Sequence, residues 1–257
     1  MIKFQSFGSG SSGNLYHITT DQGQIFIDAG IPIRKLRKLF REHGVSPAKV
    51  DGILVTHDHA DHVRSVGALN KKEGIDVYAT LLVSEGIKSN PAISQKPLRE
   101  KTHAITKGDP FFLAGMKIVA FEVPHDSHDN VGYLVTYGDT RLCIVTDCGK
   151  PTEEIEHHIS QASQLVLESN YDKDMLENGP YPLRLKRRIT NGYGHLSNDL
   201  AAEIIHRHCH HLKKVWLCHI SDNNNSPELA LAATKKMSGN IAIVALDREK
   251  PSVAEFL

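Results

Sequence analysis

Short apolar runs alternate with amphipathic stretches along most of this 257-residue chain. Runs rich in β-branched and apolar residues predict strands, and apolar residues at helical spacing predict helices. The predicted strands cover residues 2–7, 15–19, 24–27, 77–79, 116–123, 141–146, 165–167, 213–218 and 241–246, and another leads up to residue 57. The predicted helices cover residues 32–43, 65–72, a segment from 80, a segment after 151, 182–191, 199–208 and 227–236. The pattern predicts a mixed α and β protein in which helices cover sheets.

Four of the apolar runs end at residues that can bind a metal ion, namely His57, His125, Asp147 and His219. Where helices cover a sheet, ligands gather beyond the strand ends, where the loops converge. These strand ends could bring five histidines and two aspartates to one place. The seven residues are His57, His59, Asp61, His62, His125, Asp147 and His219. They are enough to hold two metals that share one carboxylate.

The densest of these segments is residues 57–62, which hold three histidines and two aspartates. Without a cation the carboxylates would repel one another, and each imidazole would need its own partner. Nitrogen and oxygen ligands suit zinc, manganese or iron. His57 and His59 are two residues apart, so in an extended segment they point the same way. This density favours a metal site over a solvated polar loop.

The overall composition narrows the class of protein. Lysine plus arginine and aspartate plus glutamate both number 30, so the formal net charge is zero, which still allows a local basic groove. The four cysteines form no Cys-x-x-Cys pair, so a thiolate zinc site is not expected. The sequence contains no apolar run long enough to span a membrane and no N-terminal apolar signal. We expect a reduced, cytoplasmic, soluble protein with one domain over residues 1–257.

The ordered motifs resemble those of the metallo-β-lactamase fold superfamily of binuclear hydrolases. His57-x-His59-x-Asp61-His62 matches its signature motif, and His125, Asp147 and His219 match its later ligands in the same order. Asp28, which from the sequence alone is either a turn residue or an acceptor for a metal-bound histidine, matches an earlier strand-end aspartate. The resemblance implies an α/β (α+β) fold, a four-layer αββα sandwich of two mixed sheets with helices outside.

More narrowly, the chain resembles the YycJ/WalJ group of that superfamily. The resembling stretches are residues 7–14, 168–172, 179–182, 185–189 and 194–198. That group implies 5′→3′ exonuclease action on DNA, with a part in DNA repair. His195-x-Ser197 is also similar to a His-Ser/Thr pair of tRNA 3′-processing endonucleases. The segment between Asp147 and His195 is too short for the inserted domain of β-CASP nucleases, and a glycine-proline-rich tRNA-gripping arm is absent, so DNA is favoured over RNA.

The resemblance implies a binuclear phosphodiesterase that uses a metal-bound hydroxide. One metal would be held by His57, His59 and His125, the other by Asp61, His62 and His219, with Asp147 bridging them. Two divalent transition metals are expected, zinc first and manganese or iron as alternatives. The residues expected to take part in catalysis are Asp61 and His195, the latter by protonating the leaving oxygen or holding a phosphate oxygen.

Further polar residues are candidates for substrate binding. Residues 8–14 form either a tight turn or a loop whose amides and hydroxyls meet an anion. The basic segment 184–188 is either a solvated helix face or a grip on the phosphate backbone. The candidate residues are Ser12, Arg187, Arg188, Ser197 and Ser221. The histidines at 206–211 are expected to cap a helix C-terminus and not to form a second metal cluster.

Two other classes of function remain open. The same metal centre would serve a small-molecule hydrolase such as a thioesterase, a lactonase or a cyclic-nucleotide phosphodiesterase. A redox or metal-sensing protein is the other alternative, but a di-iron redox centre usually has a carboxylate where His59 stands. The sequence does not decide the metal, the cleavage polarity or the oligomeric state.

Overall fold

The computed structural model describes residues 1–236, 239 and 241–257, and it contains fourteen strands and nine α-helices within those residues. The strands are β1 Lys3–Gly8, β2 Leu15–Thr19, β3 Gln24–Ile27, β4 Gly52–Leu54, β5 Val77–Ala79, β6 Thr102–Ala104, β7 Phe111–Leu113, β8 Met116–Glu122, β9 Val131–Tyr137, β10 Thr140–Val145, β11 Gln164–Glu168, β12 Lys214–Cys218, β13 Ala242–Ala245 and β14 Glu255–Phe256. The helices are α1 Ile33–Glu42, α2 Ala60–Val63, α3 Val66–Glu73, α4 Leu81–Ser89, α5 Glu153–Ser160, α6 Lys173–Asn178, α7 Leu183–Thr190, α8 Asn198–His208 and α9 Pro227–Lys235.

Both sheets are mixed and have seven strands. The first has the order β14-β1-β2-β3-β4-β5-β6, with β14 to β3 antiparallel and β3 to β6 parallel. The second has the order β13-β12-β11-β10-β9-β8-β7, in which β10 to β13 are parallel. Parallel neighbours need crossover connections, and helices supply them here.

The chain divides into two compact units. The first comprises Met1–Ala120, Ser127–Asn130 and Arg248–Leu257, and the second comprises Phe121–Asp126 and Val131–Asp247. In the first unit α1 covers its sheet, and Phe40 stacks on Phe26 with ring centroids 5.2 Å apart. In the second unit α5 and α8 cover β10 to β12, with Ile155 and Ile204 in the shared core. The single-domain expectation stays a prediction.

Most of the predicted elements are present, and the exceptions have physical reasons. The predicted strands and helices outside residues 126–140 and 171–178 agree with the structure to within a few residues at each end. Strands β6, β7, β9 and β14 and helices α2 and α6 were missed. The signal for β9 was present, because Val131–Tyr137 is followed by Gly138-Asp139 and then β10, which is a hairpin pattern. Helix α6 is short and mostly polar, so its apolar periodicity was too weak to detect.

The described helices include none that is long and apolar enough to cross a membrane.

Candidate metal centre

The segment 57–62 lies in the first unit, directly after β4. Val55 and Thr56 continue the chain from β4, and His59 precedes the short helix α2, which carries Asp61 and His62. The ring of His57 lies 4.7 Å from that of His59 and 4.1 Å from that of His62, centroid to centroid. The chain direction thus changes at His59, which brings all three imidazoles of the motif close together.

Asp28 fixes the orientation of two of these histidines through hydrogen bonds. Its side chain is fully buried, and it accepts hydrogen bonds from His62 Nδ1 at 2.7 Å and from Thr56 Oγ1 at 2.8 Å. Because Thr56 donates to Asp28, its oxygen is left to accept from His57 Nδ1, 3.0 Å away. Asp28 therefore orients His62 directly and His57 through Thr56. This is the arrangement that typically lies behind metal-binding histidines.

The hydrogen bond between His62 and Asp28 identifies the tautomer of the His62 ring. A carboxylate can only accept, so Nδ1 carries the proton and Nε2 carries the lone pair when the ring is neutral. Consistently, Asn14 Nδ2 lies 2.9 Å from His62 Nε2, and Asp61 Oδ2 lies 3.7 Å from it. A cation bound at Nε2 would compete with Asn14, whose amide also lies within 3.2 Å of two backbone carbonyls.

The second unit carries the other predicted ligands. His125 donates from Nδ1 to the carbonyl oxygen of Gly194 at 2.9 Å, which leaves Nε2 with the lone pair. Asp147 is almost fully buried, and its Oδ1 lies 3.7 Å from His125 Nε2 and 3.5 Å from His219 Nδ1. The structure therefore groups these three residues around one carboxylate oxygen.

Glu168, at the end of β11, is at the centre of this group. Its carboxylate is fully buried and accepts four hydrogen bonds. Oε1 accepts from Nδ1 of His195 at 2.8 Å and from Nδ1 of His219 at 2.9 Å. Oε2 accepts from the backbone N–H of Cys148 at 2.7 Å and of Leu196 at 3.0 Å. Glu168 thus orients two imidazoles and fixes the two loops that carry Asp147 and His195.

The charges in this group shift one another's pKa values. Burial alone would lower the pKa of His195, but the carboxylates of Glu168 and Asp147 outweigh burial and raise it above its ordinary value. Burial alone would raise the pKa of Glu168, but His195 and His219 outweigh it and hold the pKa below the ordinary value. Both pKa shifts follow from the close contact between the buried carboxylate of Glu168 and the two imidazoles.

Three strand-end residues adopt a strained backbone conformation. The φ angles of Asp28, Asp147 and His219 are 60°, 52° and 52°, in the left-handed region that non-glycine residues rarely adopt. Such positions cost on the order of 1–3 kcal/mol each and cluster at functional sites. The surrounding hydrogen bonds maintain these conformations where two predicted ligands, Asp147 and His219, and the predicted acceptor Asp28 leave their strands.

The donor set is compatible with a divalent metal. In the second unit one ligand atom from each of Asp147, Glu168, His195 and His219 lies within 4.8 Å of the others. Imidazole nitrogens and carboxylate oxygens are ligands that zinc, manganese and iron accept. The fixed Nδ1 atoms described above are the further feature expected of a metal-binding group.

Comparison with known proteins places the chain in a family. Residues 24–220 match the model of the beta-lactamase superfamily domain, a range that includes all seven predicted metal ligands. The chain belongs to the beta-lactamase superfamily. It is 32% identical over 230 residues to exodeoxyribonuclease WalJ of Streptococcus pneumoniae, covering 89% of this chain and 85% of WalJ. It is 33% identical over 236 residues to exodeoxyribonuclease YycJ of Bacillus anthracis, covering 89% of this chain and 86% of YycJ.

The fold agrees with that of solved members of the superfamily. The metallo-beta-lactamase fold protein YhfI from Bacillus subtilis superposes with a TM-score of 0.77 at 16% identity, covering 98% of this chain and 99% of YhfI. Two mixed sheets flanked by helices are the fold class that the sequence predicted. The predicted superfamily and the predicted YycJ/WalJ group are therefore confirmed.

The candidate substrate-binding residues lie in different settings within the superfamily fold. Arg187 is exposed on α7, whereas Arg188 on the same helix forms an ion pair with Asp126. Ser197 is fully buried and caps α8 by accepting from the N–H of Leu200. Ser12 and Ser221 are half-buried in turns, where Ser12 contacts the carbonyl of Arg248 at 3.5 Å and Ser221 accepts from the N–H of Asn224 at 3.3 Å. Their contact with substrate stays a prediction.

Sequence reasoning missed two residues that the structure ties to the candidate site. Glu168 is the last residue of β11, and His57 and His219 also come shortly after strands, so the strand-end pattern could have included it. Asp58 lies between two predicted ligands, and it accepts from His128 at both the backbone N–H (3.2 Å) and Nδ1 (2.9 Å). In the sequence Asp58 stands between His57 and His59, and nothing in that pattern indicates that its partner is the distant His128.

Histidines 206–211 lie at the C-terminal end of α8, and their capping of that end stays a prediction. Helix α8 ends at His208, whose Nε2 lies 2.5 Å from Glu156 Oε2. Among the described residues, no candidate metal-binding group includes any of these histidines.

Proposed function

We propose that this protein is a metal-dependent nuclease that removes nucleotides from DNA by hydrolysing phosphodiester bonds. The observation that carries the proposal is that five imidazoles have Nδ1 within hydrogen-bond distance of a fixed oxygen. These are His57, His62, His125, His195 and His219. Such rings present Nε2 to a cation or a substrate. The relatives WalJ and YycJ, both named exodeoxyribonucleases, support DNA as the substrate.

The seven residues predicted from the sequence would hold two divalent metals. His57, His59 and His125 would hold one, Asp61, His62 and His219 the other, and Asp147 would bridge them. Zinc is the first expectation, with manganese and iron as alternatives. When bound, such metals acidify a water molecule and neutralise charge on the phosphate oxygens.

Asp61 and His195 are the side chains proposed to act in catalysis. Glu168 holds Nδ1 of His195, so this ring can exchange a proton with substrate only through Nε2. We assign His195 the protonation of the departing oxygen, because a positioned imidazole is the commonest general acid in proteins. Asp61 lies beside His62, and we assign it to orienting the attacking water.

The remaining parts of the proposal concern substrate and setting. Helix α7 carries Arg184, Lys186, Arg187 and Arg188, and such a basic helix suits the phosphate backbone of a long polyanion. We propose 5′→3′ polarity, action on DNA in preference to RNA, a cytoplasmic location and a single catalytic domain. Ser12, Ser197 and Ser221 are further candidates for contact with the substrate.

End-labelled nucleic acids test this function. The metal-loaded protein should release a labelled mononucleotide at once from 5′-labelled DNA and should shorten 3′-labelled DNA progressively. RNA of the same sequence should be degraded more slowly, and Asp147→Ala should be inactive on both. If the protein hydrolysed lactones, thioesters or cyclic nucleotides but left DNA uncleaved, the proposal would be contradicted and a small-molecule hydrolase favoured.

A further inference from the structure

The turn that precedes His195 carries an exposed aromatic side chain. Tyr193 is 53% exposed, and among the described residues of the second unit it is the only large aromatic residue with that much exposure. A single exposed apolar side chain is ordinary on a protein surface, so its setting has to decide whether it has a role.

The turn is held rigidly against the loop that follows Asp147. A Cβ atom on Gly194 would lie 2.3 Å from the carbonyl oxygens of Arg188 and Ile189, and one on Gly149 would lie 2.4 Å from Gly192. Both sites therefore require glycine, because the backbone segments touch there. The N–H of Tyr193 also donates to Asn191 Oδ1 at 2.8 Å. The backbone of Tyr193 is thus fixed, although its ring faces solvent.

A cation lies beside the exposed ring. The Nζ atom of Lys150 lies 5.4 Å from the centroid of Tyr193, within the distance of a cation–π contact. Lys150 is itself exposed, and among the described residues it forms no salt bridge with a carboxylate. An aromatic face and a positive charge are therefore presented together on a rigid support.

The pair lies close to the residues assigned to catalysis. Tyr193 is two residues from His195, so their Cα atoms are at most about 7 Å apart. Lys150 is three residues from Asp147, at most about 10 Å away by the same measure. Gly194, between Tyr193 and His195, supplies the carbonyl that orients His125. A base stacked on Tyr193 would thus lie beside the turn that carries His195.

We infer that Tyr193 and Lys150 form a nucleotide subsite, in which Tyr193 stacks on the base beside the scissile phosphate and Lys150 binds a phosphate of the same strand. A nucleotide combines a π-face with an anion, which is what this pair recognises. Stacking accepts every base, so the subsite suits an enzyme that degrades DNA regardless of sequence. The inference rests on the proposed nuclease function.

A cycle of protein and substrate changes tests the stacking. The value of kcat/KM is measured for wild type, Tyr193→Leu and Tyr193→Phe on DNA with a normal or an abasic nucleotide at the scissile position. Leucine keeps apolar volume without a π-face, and phenylalanine keeps the ring. Tyr193→Leu should lose about 5- to 150-fold on normal DNA, and Tyr193→Phe little, which is the range expected for one stacked base. Wild type should lose the same factor on abasic DNA, and Tyr193→Leu should lose nothing further there.

The alternative outcomes are distinguishable. Equal losses of Tyr193→Leu on normal and abasic DNA would show that Tyr193 acts on the turn and not on the base, and would overturn the inference. Metal content measured in parallel separates this case from loss of the metal centre. If wild type leaves normal DNA intact, the nuclease proposal fails instead. Lys150→Gln should lower the salt slope of DNA binding by about one unit, and an unchanged slope would remove Lys150 from the subsite.

Discussion

The carboxylate of Glu168 accepts a hydrogen bond from Nδ1 of His195 at 2.8 Å, and the same oxygen accepts from His219 at 2.9 Å. One buried carboxylate thereby sets the orientation of a predicted metal ligand and of the proposed general acid. A change at Glu168 should therefore affect the fold, the metal and the chemistry together.

Glu168→Gln should destabilise the protein strongly. A glutamine would place its NH₂ group either against the N–H groups of Cys148 and Leu196 or against the two imidazoles, so donors would meet donors in either orientation. Removal of one partner from a buried ion pair costs about 3–5 kcal/mol of the free energy of unfolding. Urea unfolding measures this loss, with Glu177→Gln at an exposed carboxylate as the matched control. A loss similar to that of the control would contradict the central position of Glu168.

His195→Ala should keep its metal but lose activity. Removal of a general acid should cost on the order of 10²–10⁴-fold in the rate of DNA cleavage. The loss should shrink on a nitrophenyl phosphodiester, because its leaving group is already acidic and needs no proton. Elemental analysis and both rates are measured on the same preparation. A variant that loses a metal ion would make His195 a ligand, and one that keeps full activity would make it structural.

Arg187→Ala should weaken DNA binding and flatten its salt dependence. Arg187 is exposed on α7, and each lost phosphate contact lowers the slope of log affinity against log salt by about one unit. Arg188→Ala should change DNA binding further, because Arg188 pairs with Asp126, the neighbour of the predicted ligand His125. Arg141→Ala is the control, since Arg141 lies at the opposite end of β10 from Asp147. If the salt slopes of DNA binding were equal for all three variants, the DNA would bind at a part of the surface other than α7.

The sequence was informative where ligands are adjacent or end a strand. Residues 57–62 could be recognised because five potential ligands fall within six positions, and His125, Asp147 and His219 because each follows an apolar run. The strand-end pattern could have marked Glu168 as a candidate but not its role, because its partners at 148, 195, 196 and 219 meet only after the loops converge. Long-range contacts of this kind leave no local pattern.

The sequence pattern did not indicate the backbone conformation of the site residues either. Nothing in the residues around Asp28, Asp147 and His219 indicates a left-handed φ angle, because the tertiary hydrogen bonds impose it. The setting of Arg188 was hidden for the same reason. A basic helix face looks alike in sequence whether its arginines face solvent or pair with a distant carboxylate such as Asp126.

The contribution of Glu156 to stability should depend on pH. Burial alone would raise its pKa, but hydrogen bonds from Arg207 and His208 outweigh burial and hold it below the ordinary value of 4.5. A carboxylate whose pKa is lowered in the folded state stabilises the fold at pH values above its ordinary pKa. This stabilisation is lost as the pH falls through the folded-state pKa. Glu156→Gln should therefore lose up to about 1 kcal/mol at pH 7, because the pair is partly exposed to solvent.

Urea unfolding of wild type and Glu156→Gln at pH 7 and at about pH 3 measures this difference. The gap between the two proteins should narrow at the lower pH. Glu203→Gln is the control, because Glu203 reaches Arg207 only at 4.0 Å. A gap that widens as the pH falls would mean that Glu156 is destabilising in its charged form.

The most direct test of the account is a metal titration of the metal-free protein. Manganese or zinc is added stepwise, and bound metal per chain and release of nucleotides from 5′-labelled DNA are measured at each step. We expect no release without metal and full release only when about two ions are bound, as in other two-metal sites. Asp147→Ala should bind fewer ions and release none. Nucleotide release at the full rate from protein stripped of metal would contradict the account.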